Sequence, residues 1–262
     1  MPKTIKNIYD NSISFENLLK AHKKARCGKR EKKKIILFEL KLEQELLELE
    51  KQLKTGTYKH GGYTKFKIYE PKERIIMASE YKDRVVHQWY VEKFIKPYFV
   101  PQFISTSYAG IEGRGMHKAS KDVQKAMRSA KSKWKNYYIL KMDVTKYFQN
   151  IDKRILWEIL KRKMKDKKLL WLTREILLST EGMVGLPLGN YTSQMFANIY
   201  LNELDQYVKH ILKCKYYYRY MDDIVIMCEN KKIAKDILNN ITKKANQNSL
   251  LGYLATSCSY SN

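Results

Sequence analysis

The chain has 262 residues, of which 44% are apolar and 30% are charged, and both values are typical of a folded globular protein. Its 51 Lys and Arg outnumber its 27 Asp and Glu, so the net charge of +24 favours a polyanionic partner such as nucleic acid over a merely Lys-rich surface. The 4 cysteines are far apart in sequence and form no Cys-x-x-Cys pair, which excludes a disulfide scaffold and disfavours a zinc site.

The N-terminal segment, residues 1–60, is predicted to be a basic helical extension. Residues 20–34 contain nine Lys or Arg and one Glu, a run that is typical of a solvated face. Apolar residues recur with helical spacing from Ile35 to Leu53, which predicts one long amphipathic helix closed by Gly56. The start of the chain lacks a signal peptide, and no apolar run reaches the ~18 residues of a membrane span. We therefore expect a soluble, cytoplasmic protein without a membrane partner.

The next hundred residues alternate between strand and helix patterns. The predicted elements are a hairpin formed by 63–69 and 74–78 around Pro71, a helix from Asp83 ended by Pro97 and Pro101, a Gly-rich loop over 107–115, a helix to about Lys131, and a buried strand over 137–144.

The last third of the chain returns to helices and ends in a second hairpin. The predicted elements are helices that begin after Asp152 and Asp166, a loop with three glycines, a helix from Ser193, a hairpin over 216–227, and a helix from Ile233. Residues 246–262 show no clear periodicity, and we expect residues 241–262 to form an atypical, truncated C-terminal tail.

Two neighbouring carboxylates occupy the tip of the second hairpin. Asp222 and Asp223 lie between apolar runs, and Asp143 ends the buried strand over 137–144 in the same manner. Asp alone is common in tight turns, so a plain turn is the alternative. Like charges at low dielectric repel each other unless a cation intervenes. Oxygen ligands without His or Cys suit Mg²⁺, and three carboxylates on two strands could hold two ions about 3.5 to 4 Å apart for phosphoryl transfer.

The motifs around these carboxylates resemble those of reverse transcriptases. They follow the family's order over residues 60–230, and they are YMDD at 220–223, KMDVTKYFQNID at 141–152, PKERI at 71–75, DRVVH at 83–87, SYAG with GRG over 107–115, and GLPLGNYTSQMFANIYLNELD at 185–205. LGNYTSQ and the N-terminal SFENLLKAHKKAR resemble the form found in diversity-generating retroelements. Bacterial defence enzymes and retron-like enzymes share much of this pattern.

The resemblance implies a role for individual residues. Asp143, Asp222 and Asp223 would be catalytic and, with Val144, would hold two Mg²⁺ ions, for which Mn²⁺ could substitute. The residues implied to bind the deoxynucleotide are Lys72, Arg74, Phe148, Leu188 and Gly189. The residues implied to bind template and primer are Arg84, Gly113, Arg114, Gly115, Tyr220 and Met221.

Each of these roles has a simpler alternative. Phe148 would be a steric gate against ribonucleotides, or else a core ring. Lys72 and Arg74 would reach the triphosphate, or else be surface cations beside a turn. Leu188 stands where accurate relatives carry Gln, which implies error-prone copying opposite adenine, or else is a neutral substitution. The Gly-x-Gly of the 107–115 loop would track the template backbone, or else form only a turn.

The resemblance also implies an architecture and a set of partners. The fold would be α+β, a right-hand polymerase with fingers over 61–100 and 151–186, a palm over 101–150 and 187–240, and the thumb largely missing. The enzyme would be an RNA-directed DNA polymerase of a bacterial or phage retroelement that binds template RNA, a DNA or RNA primer, dNTPs and a small basic helical accessory protein. The alternatives are an inactive nucleic-acid-binding remnant and a defence-associated reverse transcriptase.

Overall fold

The computed structural model describes residues 4–69, 73–134, 136–247 and 254–261. The strands in chain order are β1 Tyr63–Ile68, β2 Arg74–Ser79, β3 Tyr137–Val144, β4 Tyr217–Tyr220, β5 Asp223–Cys228 and β6 Leu254–Ser261. The α-helices in chain order are α1 Tyr9–Ser12, α2 Phe15–Ala25, α3 Lys33–Glu39, α4 Leu42–Thr55, α5 Tyr81–Tyr90, α6 Lys96–Phe99, α7 Met116–Lys133, α8 Tyr147–Asn150, α9 Lys153–Lys163, α10 Lys167–Leu177, α11 Tyr191–Gln206 and α12 Lys231–Gln247.

The chain divides into two compact units, and each is made of two separate stretches of sequence. The first unit comprises Met1–Gln102 with Lys153–Met195, and the second comprises Phe103–Asp152 with Phe196–Asn262. The basic N-terminal extension therefore belongs to the same unit as β1 and β2. The subdomain names fingers and palm stay predictions.

The first unit is mainly helical, with one antiparallel hairpin. Strands β1 and β2 pair from Tyr63 opposite Ser79 to Ile68 opposite Arg74, as the alternating pattern predicted. Helix α2 packs on both α4 and α5, and the buried rings of Tyr9, Trp89 and Phe94 contact one another in its core. Helix α10 begins at the predicted position because the Asp166 carboxylate accepts hydrogen bonds from the amides of Lys168 and Leu169.

Two helix predictions in this unit were wrong in detail. The single helix expected from Ile35 to Leu53 is two helices separated at Leu40 and Lys41, because α3 packs on α5 whereas α4 packs on α2. The helix from Asp83, expected to end at Pro97 and Pro101, begins at Tyr81 and is interrupted before Pro97, although its last α-helical residue is Phe99 as the pattern predicted. A π-helical turn over Val91–Ile95 follows α5, and Pro97 then lies in the first turn of α6, where a missing amide is tolerated.

The second unit is built on a four-stranded antiparallel sheet. The strand order is β4-β5-β3-β6, so the two strands that carry the acidic motifs are neighbours in the middle of the sheet. Helix α12 packs on β3 and β5. Strand β6 runs through residues that showed no periodicity in the sequence and pairs with β3 from Tyr137 opposite Ser261 to Val144 opposite Leu254.

Mixed helices and antiparallel sheets confirm the α+β fold class. Within the described part of the chain, no helix is long and apolar enough to cross a bilayer.

Candidate active site

The register of the central sheet brings two of the acidic motifs side by side. The ladder between β3 and β5 ends with Met142 opposite Ile224, and Asp143 and Asp223 are the next residues on the two strands. A continuation of the same register would place these two aspartates opposite each other. Residues directly opposite each other on an antiparallel pair project to the same face, with Cβ atoms about 5 Å apart. Both aspartates are exposed, whereas Met142 and Ile224 are buried on the other face.

Helix α7 covers only part of the face that carries these aspartates. Ala126 and Ala130 of α7 pack with Tyr137, Tyr216 and Met227, which lie toward the opposite end of the sheet. The face is therefore apolar and covered at one end, and it is acidic and open to solvent at the other. Such an edge can admit a ligand to the carboxylates without unfolding any element.

Asp222 lies in the turn between β4 and β5. The preceding residue, Met221, has a positive φ of 53°, a conformation that is uncommon for a side chain of this size. The guanidinium of Arg219 donates a 2.9 Å hydrogen bond to the Met221 carbonyl oxygen. The turn that carries Asp222 is thus tied to a side chain on the buried face of the sheet.

Arg219 is the centre of a polar network below the sheet. Its side chain is 1% exposed, and Nε and Nη2 donate to the two Asp205 carboxylate oxygens at 2.8 and 2.7 Å. Nη1 also donates to Asn198 at 3.0 Å, and Nη2 donates to Ser107 at 3.1 Å. The Tyr217 hydroxyl donates to Asp205 as well. A buried charge pair is tolerated when its remaining donors and acceptors are satisfied in this way.

The electrostatics of this network keep its charges in place. Burial by itself lowers the pKa of Arg219, but the adjacent Asp205 carboxylate outweighs it and raises that pKa above its ordinary value. Burial, followed by the Asp205 charge, raises the pKa of the Tyr217 phenol well above its usual range. Both shifts favour a charged Arg219 guanidinium and a neutral Tyr217 hydroxyl.

Sequence reasoning missed this network. Arg219 stands out as a charge inside the apolar segment YYYRYM, and that signal could have found it. Asp205 lies among the polar residues of LNELDQY, so the sequence gives no comparable signal for it. The network also joins three of the motifs in space. Ser107 belongs to SYAG, Asn198 and Asp205 belong to the long motif over 185–205, and Arg219 precedes YMDD.

Phe148 lies on α8, a single turn that follows β3. Its neighbour Tyr147 is fully buried and donates a 2.6 Å hydrogen bond to the Ala197 carbonyl, which fixes the turn. Burial raises the pKa of the Tyr147 phenol well above its usual value. Phe148 is half-buried, with its ring 5.7 Å from that of Tyr147. It is thus a partly accessible ring on a rigid turn and not a core ring.

Two of the candidate nucleotide residues of the first unit, Leu188 and Gly189, lie against β2. The Met77 amide donates a 2.8 Å hydrogen bond to the Leu188 carbonyl, and Gly189 follows with a φ of 117°. A Cβ atom at Gly189 would lie 3.1 Å from Ile76 Cγ2, so a side chain there would press on β2. Arg74 is exposed at the start of the same strand. Lys72 lies outside the described residues.

A second polar cluster, also missed from sequence, supports this loop. The Asn190 side chain donates to the Tyr63 hydroxyl at 3.0 Å, and the Tyr63 ring stacks on His60 with centroids 5.0 Å apart. Asp83 accepts a 2.7 Å hydrogen bond from the Tyr58 hydroxyl, and burial raises the pKa of this carboxyl. The cluster anchors the 188–190 loop to the hairpin and to α5.

Some of the candidate template residues make contacts within their own unit. The Arg114 guanidinium donates to the carbonyl oxygens of Ile104 at 2.8 Å and Ser107 at 2.9 Å, so two of its five donors hold the Gly-rich loop together. The loop glycines Gly113 and Gly115 have open space where a Cβ would lie. Arg84 donates to the Ser79 carbonyl. Tyr220 pairs with Asp223 across the hairpin and is half-buried.

The carboxylates of Asp143, Asp222 and Asp223, here called the acidic edge, are suitable ligands for a hard divalent cation. Their oxygen atoms do not converge on one metal position in this structure. Carboxylate oxygens without His or Cys are the ligands that Mg²⁺ prefers. Within the described ranges, no three His, Cys, Asp or Glu side chains converge closely enough to hold a metal ion. Asp143 and Asp223 lie directly beside the last pair of the β3–β5 ladder, while Asp222 lies in the adjoining turn. The residues fit the ion by type and by strand position.

The sequence of the chain matches the family model described as reverse transcriptase (RNA-dependent DNA polymerase) over residues 63–251, most of its length. The chain belongs to the reverse transcriptase family. The match includes every motif from PKERI to YMDD, and both β3 and β5 lie inside it. Reverse transcriptases use divalent metal ions, in agreement with the acidic edge of this family member.

Two curated relatives show how this reverse transcriptase compares with longer proteins. It is 25% identical to Protein YkfC of Escherichia coli over 184 residues, which cover 66% of this chain and 47% of YkfC. It is 25% identical to the group II intron-encoded protein LtrA of Lactococcus lactis over 185 residues, which cover 66% of this chain and 30% of LtrA. The chain thus spans less than half the length of either relative.

Solved structures with the same fold include two telomerases. Apo telomerase from Candida tropicalis superposes with a TM-score of 0.55 at 10% identity, covering 77% of this chain and 50% of the telomerase. Telomerase from Candida albicans, in complex with a fragment of telomeric RNA, superposes with a TM-score of 0.53 at 10% identity, covering 83% and 47% of the two chains. At this identity the likeness establishes the fold.

Proposed function

We propose that this chain is the polymerase portion of an RNA-directed DNA polymerase that copies template RNA into cDNA from dNTPs. The observation that carries the proposal is the register of β3 and β5, which ends at Met142 opposite Ile224, directly beside Asp143 and Asp223, with Asp222 in the adjoining turn. Family membership supports the reaction class. The net charge of +24 supports a nucleic-acid template and primer.

Asp143, Asp222 and Asp223 would hold two Mg²⁺ ions, with the Val144 carbonyl as a further oxygen ligand and Mn²⁺ as a substitute. When bound, such a pair activates the primer 3′-hydroxyl and neutralises the triphosphate. The protein's own contribution is positioning. The sheet would fix the spacing of the carboxylates. By resemblance to the family, Arg74 and Lys72 would orient the triphosphate, and Phe148 would close the space of a ribose 2′-hydroxyl.

The finer assignments belong to the same proposal. The LGNYTSQ form of the motif supports a diversity-generating retroelement. Resemblance to that group implies a small basic helical accessory protein as a partner. We also propose a cytoplasmic location. Leu188 in place of Gln supports error-prone copying. Arg84, Gly113, Arg114, Gly115, Tyr220 and Met221 would contact template and primer, and Arg114 would do so with the donors that remain after its two loop contacts.

Primer extension on an RNA template tests this proposal directly. Asp222→Asn should abolish Mg²⁺-dependent dNTP incorporation while RNA affinity stays equal or rises slightly, because one repulsive negative charge is removed. Asp236→Asn makes the same charge change at an exposed position on α12 and should leave extension unchanged. Extension by Asp222→Asn at the parental rate would exclude the metal assignment. Binding without any incorporation by the parental chain would favour the inactive remnant.

A further inference from the structure

We propose that Arg219 and Asp205 are positioning residues for the catalytic turn, an inference that rests on the proposed polymerase function. The Arg219 guanidinium donates hydrogen bonds both to the buried network, at Asp205, Asn198 and Ser107, and to the turn. Its bond to the Met221 carbonyl lies directly before Asp222. We infer that the network fixes the position of the Asp222 carboxylate relative to those of Asp143 and Asp223.

Main-chain hydrogen bonds hold Arg219 in place in addition to its side-chain contacts. Its amide donates to Thr106 at 2.9 Å, and its carbonyl accepts from Tyr108 at 3.1 Å, so β4 is held on its free edge by the SYAG segment. The Asn198 side chain, which accepts from Arg219, itself donates to Ala109 at 2.8 Å. These contacts surround the turn in which Met221 has a positive φ, a conformation that persists when the neighbouring structure supports it.

A lysine at position 219 separates positioning from charge. Lys carries the same charge as Arg and can pair with Asp205, but a single ammonium cannot also reach Asn198, Ser107 and the Met221 carbonyl as a planar fork does. We expect Arg219→Lys to lower kcat for primer extension about 100-fold, the scale of a misplaced reacting group, with little change in the KM for primer-template. Binding of Mn²⁺ in the absence of nucleic acid, followed by electron paramagnetic resonance, should weaken in parallel.

A second variant removes the charges without leaving one of them alone. Arg219→Met with Asp205→Leu replaces the buried pair by apolar side chains, an exchange that folded proteins tolerate. We expect this double variant to fold with a lowered unfolding temperature, because Tyr217, Asn198 and Ser107 each lose a hydrogen-bond partner, and to show the same losses of kcat and Mn²⁺ affinity. Parental kcat and Mn²⁺ affinity in either folded variant would overturn the positioning role. Failure of both variants to fold would also overturn the positioning role, because the network would then be required for folding and not specifically for placing Asp222.

The controls keep this inference separate from the proposed function. Activity of the parental chain together with inactivity of Asp222→Asn establishes the polymerase, whatever the Arg219 variants do. Parental activity in Arg219→Lys would therefore remove the positioning role and leave the polymerase assignment intact.

The outer surface of α3 and α4 carries an independent feature. Ile36, Leu37, Leu40 and Leu47 are 46%, 54%, 76% and 50% exposed, although Ile35, Phe38 and Leu46 on the inner face are buried. Leu40 and Leu47 line a depression of about 830 Å³ together with Glu43, Glu48 and Lys51. Residues 39–50 contain five Glu and one Lys in a chain of net charge +24, so nucleic acid is an unfavourable occupant.

We propose that a second copy of this chain covers this surface through an antiparallel pairing of α4 with itself. Glu43, Leu47 and Lys51 follow one another at four-residue intervals and therefore share one face of the helix. An antiparallel pair centred on Leu47 sets each Glu43 opposite the Lys51 of the other copy and brings the two Leu47 side chains together. A two-fold interface requires this kind of self-complementary patch.

Charge exchange gives a specific test by sedimentation equilibrium over a series of protein concentrations. The parental chain should self-associate, and Leu47→Glu should be monomeric. Glu43→Lys and Lys51→Glu should each weaken association because like charges then face each other, and the two changes together should restore it. Ile211→Glu, at a residue that is 67% exposed in the second unit, is the matched control and should associate like the parent.

Two results would overturn the self-pairing. One is a parental chain that stays monomeric over the whole series, including the case in which it instead binds a synthetic amphipathic helix of Lys and Leu. The other is a double charge exchange that stays monomeric while both single changes abolish association.

Discussion

The amide of Met77 donates a 2.8 Å hydrogen bond to the carbonyl oxygen of Leu188, so a strand residue and a loop residue more than a hundred positions apart form one surface. This bond uses only main-chain atoms. The loop can therefore keep its place whatever side chain stands at position 188, and the side chain is free to vary with function.

Leu188→Gln should raise the accuracy of copying opposite template adenine. A polar side chain at this half-buried position would supply one hydrogen bond, worth roughly a threefold to tenfold reduction in misincorporation. Sequencing of cDNA from a defined RNA template measures the effect, and Leu188→Met is the control for a change of shape alone. An unchanged error spectrum in Leu188→Gln would show that the leucine is a neutral substitution.

Gly189→Ala should destabilise the loop because the residue has a φ of 117° and its new Cβ would lie 3.3 Å from the Met77 carbonyl oxygen. We expect a loss of about 1 to 3 kcal/mol in the free energy of unfolding, measured by urea titration. Gly115→Ala is the matched control, since Gly115 is extended and has open space around its Cβ position. Equal stability of the two variants would contradict the close approach.

Phe148→Ala should relax the discrimination between deoxynucleotides and ribonucleotides. The ring is half-buried on a turn that Tyr147 fixes, so its removal opens space without unfolding α8. Selectivity for dNTP over rNTP, taken as the ratio of kcat/KM values, should fall at least about tenfold, the scale of a lost group in a binding pocket. Unchanged selectivity, with normal dNTP incorporation, would place the gate elsewhere.

The stability of the protein should fall as the pH drops below about 6.5, the ordinary pKa of histidine. Burial, followed by the nearby His60 and Arg84 charges, lowers the pKa of His87 well below that value. Below this pH the His87 imidazole is protonated in the unfolded chain but stays neutral in the folded chain. The free energy of unfolding therefore falls by up to about 1.4 kcal/mol per pH unit for this one group.

Urea unfolding at several pH values between 7.5 and 5 measures this slope. His87→Gln should flatten it, and His117→Gln, at an exposed position on α7, should not. A parental slope that survives in His87→Gln would assign the pH dependence to other groups.

The local patterns of the sequence determined much of the fold and the candidate site. Alternation predicted the β1–β2 hairpin, the apolar run over 137–144 predicted β3, and Asp166 predicted the start of α10. These features depend on side-chain period and on capping within a few residues, so they can be derived without knowing what lies next to them. The motifs indicated the reverse transcriptase family for the same reason, since each is a run of adjacent residues that can be recognised from the sequence alone.

Only the tertiary structure determined which of these motifs lie next to each other and in which register. The pairing of Met142 with Ile224, which lies directly beside Asp143 and Asp223, is a register that neither strand encodes by itself. The break at Leu40 and Lys41 follows from packing on two different helices, although the apolar period is continuous. Arg219 and Asp205 became partners because burial makes an isolated charge too costly, and only the folded chain brings the opposite charge within reach.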